Sequence, residues 1–420
     1  MTPRPRHARA LSLALLTAAA VLAGAVGCGR VDRADQITIW EQMDPRERAL
    51  LEKHIAQFQA AHPEYAHLRI ARSNYNTEDL RTQFQTAALA YGGPNLVYGP
   101  SDQIGPFTIM GLIEPLDELL PAEVFARFDP SGLPTLEGHV WGLPDQVGNH
   151  LTLVANTDHV DAIPQDSDAW VEQLKRLTVD ADGDGRPEVY GVVFDRVEPF
   201  FLVPWLGGFG GWVMDQDAAP TLDTPGVIQA LAFLKALLDA GVMPRECDYQ
   251  LADTLFKEGR AAYIVNGPWS WDGYRTAGVP IALAPLPRIS ATGLWPSPMT
   301  AAKCYSVNKA LDPATRQATL DLLLWLTSAD VQADLARELA VLPADLAVRE
   351  RPELVADPLL AASREQVDKG RLMPIVPEMR AIWDAMRPAY QSCLAGRLTP
   401  EEAAREMQER AVRLMKEMRE

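Results

Sequence analysis

Two stretches of this chain carry side chains spaced for chemistry. Asp180-Ala181-Asp182-Gly183-Asp184-Gly185 sets three carboxylates at alternate positions ahead of a glycine. That is the first half of a calcium-binding loop. Glu188 supplies an acceptor at the ninth position, but the twelfth is Gly191, where such a loop needs a bidentate glutamate. A structural calcium ion on Asp180, Asp182, Asp184 and Glu188 would need a further ligand from elsewhere; the plainer reading is an acidic, glycine-rich loop. In Asn266-Gly267-Pro268-Trp269-Ser270-Trp271, glycine and proline interrupt an apolar run just before two indoles. A turn there would present Trp269 at a strand's end. If the stretch stays extended, Trp269 and Trp271 share one face. No G-x-x-x-x-G-K-[ST], H-E-x-x-H or G-x-S-x-G occurs, which removes the simplest support for nucleotide hydrolysis, zincin proteolysis and esterase chemistry.

The elements that hold these groups belong to a long, acidic chain. Its 420 residues exceed one ordinary core, so two or more lobes are expected. Lys+Arg number 39 against Asp+Glu 56, a net charge of −17. Such a chain does not wrap the phosphates of nucleic acid. The N-terminus reads as an address: Arg4, Arg6 and Arg9 precede an apolar stretch from Ala10 to Gly27. That is the layout of a secretory signal. Ala25-Val26-Gly27-Cys28 resembles a bacterial lipobox, so Cys28 is expected to carry the lipid after removal of residues 1–27, with residues 28–35 as a tether. Cys247, Cys304 and Cys393 are an odd number in an exported protein; a Cys247–Cys304 bridge is open, and free buried thiols are the simpler reading.

Strand and helix signals then alternate. Ile37-Thr38-Ile39-Trp40 is a strand, and Asp44-Pro45-Arg46-Glu47 opens a helix with a cap, a first-turn proline and a glutamate three residues on. A strand at 68–71, a helix over 77–91 ending at Gly92-Gly93, and a strand at 96–98 complete a parallel α/β layer. The pattern returns with a strand at 189–194, a helix over 227–240 and a strand at 261–265. The chain turns helical after about residue 310. Ala403, Met407, Ala411 and Met415 form one apolar stripe in the last helix, expected to pack on its own lobe.

At Asn266–Trp271, after Phe256-Lys257-Glu258-Gly259, the chain resembles the extracellular solute-binding proteins of ABC importers, in particular the maltose/maltodextrin-binding group. Lys369-Gly370-Arg371-Leu372-Met373-Pro374, Trp383 with Arg387, Glu198-Pro199-Phe200-Phe201 and Gly111-Leu112-Ile113-Glu114-Pro115-Leu116 resemble it in the same order. The resemblance implies a two-lobed α/β periplasmic-binding-protein fold of type II, each lobe a mostly parallel sheet flanked by helices. It places residues 36–147 plus 303–350 in an N-lobe and 148–302 plus 351–420 in a C-lobe. It implies capture of a neutral, maltodextrin-like oligosaccharide by hinge closure. Delivery to an ABC permease by a lipid-anchored monomer follows, without catalysis.

A sugar ring offers apolar C–H patches to aromatic plates and a rim of hydroxyls to acids and amides. Trp269 and Trp383 match the family's stacking tryptophans, and Phe200 a position often held by tyrosine. Asp102 matches its first-lobe carboxylate and Glu198 a hydroxyl acceptor, while Asn149 stands where glutamate is common. Arg387 is expected to donate to sugar or to orient a carboxylate. Trp271 is a further platform candidate, and Trp40-Glu41-Gln42 a rim contact. Gly99 and Gln103 depart from the family's tryptophan and arginine. Other readings are a different sugar, a polyol or glycosyl phosphate, a sensory receptor subunit, and a glycoside-acting enzyme using Glu198 with Asp102.

Overall fold

The computed structural model describes residues 33–130 and 132–419, so the apolar leader and Cys28 lie outside the described residues. In the strand Gln36–Glu41 alternate residues are buried, Ile37 and Ile39 among them, as a period of two demands of a strand with one core face. Asp44 precedes the helix Pro45–Ala61, with Pro45 at its first position and Glu47 Oε2 accepting the Asp44 N–H at 3.1 Å. Leu50, Leu51, Ile55 and Phe58 bury one stripe of that helix.

The first sheet has six strands, ordered from edge to edge Leu342–Pro343, Leu143–Val147, Ala302–Val307, Leu96–Pro100, Gln36–Glu41 and Arg69–Asn74. The second has four: Ile281–Ala284, Thr152–Asn156, Ala261–Asn266 and Tyr190–Val193. The chain passes between the two lobes after Val147, before Ala302 and again after Pro343, where the helix Pro358–Val367 packs on the strand Ile281–Ala284.

Both sheets are mixed, which corrects the expectation of mostly parallel ones. Gln36–Glu41 pairs in parallel with Arg69–Asn74 and with Leu96–Pro100, across helical crossovers. Leu143–Val147, Ala302–Val307 and Leu342–Pro343, which flank the passages between lobes, pair antiparallel. In the second sheet only Tyr190–Val193 runs parallel to its neighbour. Parallel pairing needs a crossover on the same lobe. A strand beside a passage to or from the other lobe has no such crossover and is free to run the other way.

The last helix, Pro400–Arg419, buries Ala403, Met407, Ala411 and Met415 against its own lobe, where it meets Glu378–Leu394. Cys247, Cys304 and Cys393 are buried and free; Cys247 lies in the second lobe and Cys304 on a first-sheet strand. Among the described residues no helix is long and apolar enough to cross a membrane.

Candidate functional site

Open α/β sheets leave a crevice beyond the carboxyl ends of their strands. Here a cavity of about 510 Å³ opens between the lobes and is lined by both. The C-lobe contributes an aromatic face. Trp269 is the second residue of the helix Pro268–Thr276, which starts directly after the strand Ala261–Asn266. Trp383 lies one turn into Glu378–Leu394, and Phe200 sits in the short turn Pro199–Phe201. Phe200 is central: its ring centroid lies 6.4 Å from that of Trp269 and 6.4 Å from that of Trp383, at interplanar angles of 47° and 65°. The Trp269 indole N–H donates to the Tyr249 hydroxyl at 3.0 Å, which fixes the ring's orientation.

The N-lobe contributes the polar side. Asp102 follows the strand Leu96–Pro100 and lines the cavity with Gln42, Asp44, Glu47 and Glu78. Asp102 Oδ1 and Gln42 Oε1 are buried acceptors with no protein donor. Burial pushes Asp102 up to about 6, and the Trp383 side chain acting as donor pulls it the other way. Burial also raises Asp44 and Asp195, each to about 6.

Seven of the eight ligand-binding residues expected from sequence line the cavity: Trp269, Trp383, Phe200, Glu198, Asp102, Asn149 and Arg387. Trp271 does not. It is fully buried in a core with Phe256 and Tyr274, with the His150 ring 6.2 Å away. The stretch is helical, not extended, so residues two apart point about 200° apart. One indole faces the cleft and the other faces the core. Arg387 is not free either: it donates to Glu198 at 3.2 and 2.8 Å and holds that carboxylate in place. Of the proposed rim, Gln42 lines the cavity, Trp40 packs on Tyr75, and Glu41 is buried, accepting the Met43 N–H at 2.6 Å.

Sequence reading did not assign Asp44, Glu47, Asn76, Thr77, Glu78, Asp195, Tyr249, Gln250, Lys303 or Met373 to the lining. Position after a strand was the available signal for Asp195, as it was for Asp102. Lys303 gave none, because its partner Glu47 is 256 residues away.

Direct contacts between the lobes frame the cavity. Arg380, on the Trp383 helix, donates to Glu78 of the N-lobe at 2.9 and 3.0 Å. Gly105 of the N-lobe lies so close to the Ile375 carbonyl and the Pro377 nitrogen that a Cβ would meet both. Gly105→Ala is therefore expected to wedge the lobes apart, at a cost of about 1–3 kcal/mol to this arrangement of the lobes. With saturating maltotriose, small-angle scattering should show a larger radius of gyration for the variant than for the parent protein.

The acidic loop lies outside the cavity lining. Its Asp180, Asp182 and Asp184 carboxylates are exposed and lie within 4.8 Å of one another. Glu188 does not join that group and instead accepts the Ala181 N–H at 2.8 Å. The fourth ligand expected from sequence is thus turned to the backbone.

Comparison with known proteins agrees with this geometry. The family described as bacterial extracellular solute-binding protein matches residues 53–362. A maltotriose-binding protein of Pyrococcus abyssi is 28% identical over 365 residues, 86% of this chain and 77% of that protein. A galactooligosaccharide-binding protein of Bacillus subtilis is 22% identical, covering 88% and 87%. Among solved structures, the maltose/maltodextrin-binding domain from Bdellovibrio bacteriovorus bound to maltotriose superposes with a TM-score of 0.87 at 40% identity, covering 91% of this chain and 100% of that one. A Thermus thermophilus maltotriose-binding protein shares the fold, with a TM-score of 0.82 at 20% identity.

Proposed function

Because the chain belongs to the bacterial extracellular solute-binding proteins, we propose that it captures a neutral, maltodextrin-like oligosaccharide and delivers it to the membrane-spanning subunits of an ABC importer. The observation that carries this reading is the division of labour across the cleft. Trp269, Phe200 and Trp383 stand on one lobe, Asp102 and its neighbouring acceptors on the other. The aromatic lobe also carries Glu198 and Asn149, but a ligand that stacks on the indoles and also reaches Asp102 and Glu78 must touch both lobes. Such a ligand favours the closed state by its differential affinity for it.

An anchor on Cys28, an exported location and a monomeric state belong to the same proposal. A hydrolytic role for Glu198 is disfavoured by geometry: both of its carboxylate oxygens already accept from the Arg387 guanidinium. A structural calcium ion on Asp180, Asp182 and Asp184 is a separate proposal, checked by comparing melting temperatures in calcium and in chelator.

The test is thermal unfolding with maltose, maltotriose, longer maltodextrins and galactooligosaccharides, with product analysis of each mixture. At a hundredfold excess over Kd a true ligand stabilises by about 2.7 kcal/mol. Intact recovery of maltotriose with a raised melting temperature supports the proposal. Stabilisation by galactooligosaccharides alone would assign the other sugar, and cleavage would assign an enzyme.

Acid should weaken binding. A hydroxyl donates to the ionised carboxylate, so binding favours deprotonated Asp102. With Asp102 at about 6, affinity for maltotriose is expected to fall roughly tenfold from pH 7 to pH 5. Asp102→Asn should flatten that profile, leaving the share due to Asp44 and Asp195. Stability runs the opposite way. The folded value lies above the ordinary 3.8, so ionising Asp102 costs stability as pH rises from about 4 through about 6. Calorimetric titrations across pH 5–7 check the first expectation, and melting curves of the ligand-free protein the second.

A further inference from the structure

The cavity lining holds six carboxylates but two cations, Lys303 and Arg387, and each cation already has a carboxylate on it. Arg387 is forked onto Glu198. Lys303 is the less expected of the two. It sits on the strand Ala302–Val307, where the pairing with Leu143–Val147 shifts register between Lys303 and Cys304. Its Nζ lies 3.0 and 3.3 Å from the two Glu47 oxygens, and both side chains are almost wholly buried on the cleft floor. A buried ion pair is weak evidence for stability, since desolvating both charges offsets their attraction. A pair kept at a ligand-facing position calls for a reason in the ligand.

Glu47 is held from several sides. Besides Lys303 it accepts from Gln146 Nε2 at 3.4 Å and from the Asp44 N–H at 3.1 Å. Those donors hold it on the lysine. Lys303, in turn, has no hydrogen-bond partner but Glu47 among the described residues, so its ammonium keeps a donor for a ligand hydroxyl. The pair as a whole presents a donor without a net positive charge.

We propose that Glu47 is a specificity-determining residue that masks the charge of Lys303, so that the cleft accepts neutral oligosaccharides and refuses anionic ones. The inference rests on the oligosaccharide reading above and goes one step beyond it. An unmasked lysine at the floor would attract a carboxylate or phosphate on a sugar. With the mask in place, an anionic ligand meets the surplus acids of the lining and no uncommitted cation, and like charges brought together select against it.

The experiment is calorimetric titration of the full protein with maltotriose and with two anionic probes, maltotrionate and maltose 6-phosphate, which carry their charge at different points. The parent protein is expected to prefer maltotriose over the better anionic probe by at least 100-fold. Glu47→Gln should narrow that ratio at least tenfold, by gaining affinity for the anion. Glu47→Gln combined with Lys303→Met should restore it, because the cation is gone. Should Glu47→Gln not fold, Glu47→Asp withdraws the carboxylate by one methylene and should narrow the ratio at least threefold. An unchanged ratio in a folded Glu47 variant overturns the mask. So does a parent protein that binds maltotriose and an anionic probe within threefold of each other. Binding of none of the three sugars would instead overturn the oligosaccharide reading on which the mask stands.

Discussion

Trp269→Ala is expected to weaken maltotriose binding roughly 30-fold while leaving the fold intact. An indole covering about 80 Å² of sugar C–H surface contributes roughly 2 kcal/mol at about 25 cal/mol per Å², and 1.4 kcal/mol is a factor of ten. The side chain is half-buried at the edge of the C-lobe core, and its one hydrogen bond goes to Tyr249, itself a cleft residue. Little of the core is lost with it. Calorimetry of the variant gives the affinity and a melt in the absence of sugar gives the stability. Undiminished affinity would remove Trp269 from the site.

Trp271→Ala should do the reverse. Two residues further on, this indole is fully buried with Phe256, Tyr274 and Val154. Its deletion opens a cavity in the core and is expected to cost about 3–5 kcal/mol. Its indole nitrogen has no hydrogen-bond partner, so no polar contact is lost and the cost is packing alone. Denaturant unfolding should show a lowered midpoint. At a temperature where the variant is folded, the affinity should stay within a few-fold of the parent's. A large fall in affinity without a fall in stability would place Trp271 in the cleft after all.

The contrast between these neighbours shows where sequence reading succeeds and where it stops. Gly267 and Pro268 end the strand Ala261–Asn266 and start a helix, and that punctuation was legible. Whether the next residues coil or extend decides which indole faces the cleft, and two residues of pattern do not decide it. Trp383, Phe200 and Asp102 were legible because each belongs to a local motif in a familiar order. Lys303 with Glu47 and Arg380 with Glu78 were not, because their partners lie 256 and 302 residues apart and meet only through the tertiary fold. The mixed pairing of the sheets has the same cause: direction is set by strands arriving from the other lobe.

That arrangement has a consequence for how the protein is made. The strand Ala302–Val307 stands between Leu143–Val147 and Leu96–Pro100, and Leu342–Pro343 forms the far edge of the same sheet. A nascent chain emerging from its N-terminus therefore exposes four of the six strands long before the piece that joins them. Pairings of such long sequence separation form late and slowly. The first lobe therefore stays incomplete until the strand Leu342–Pro343 has been made.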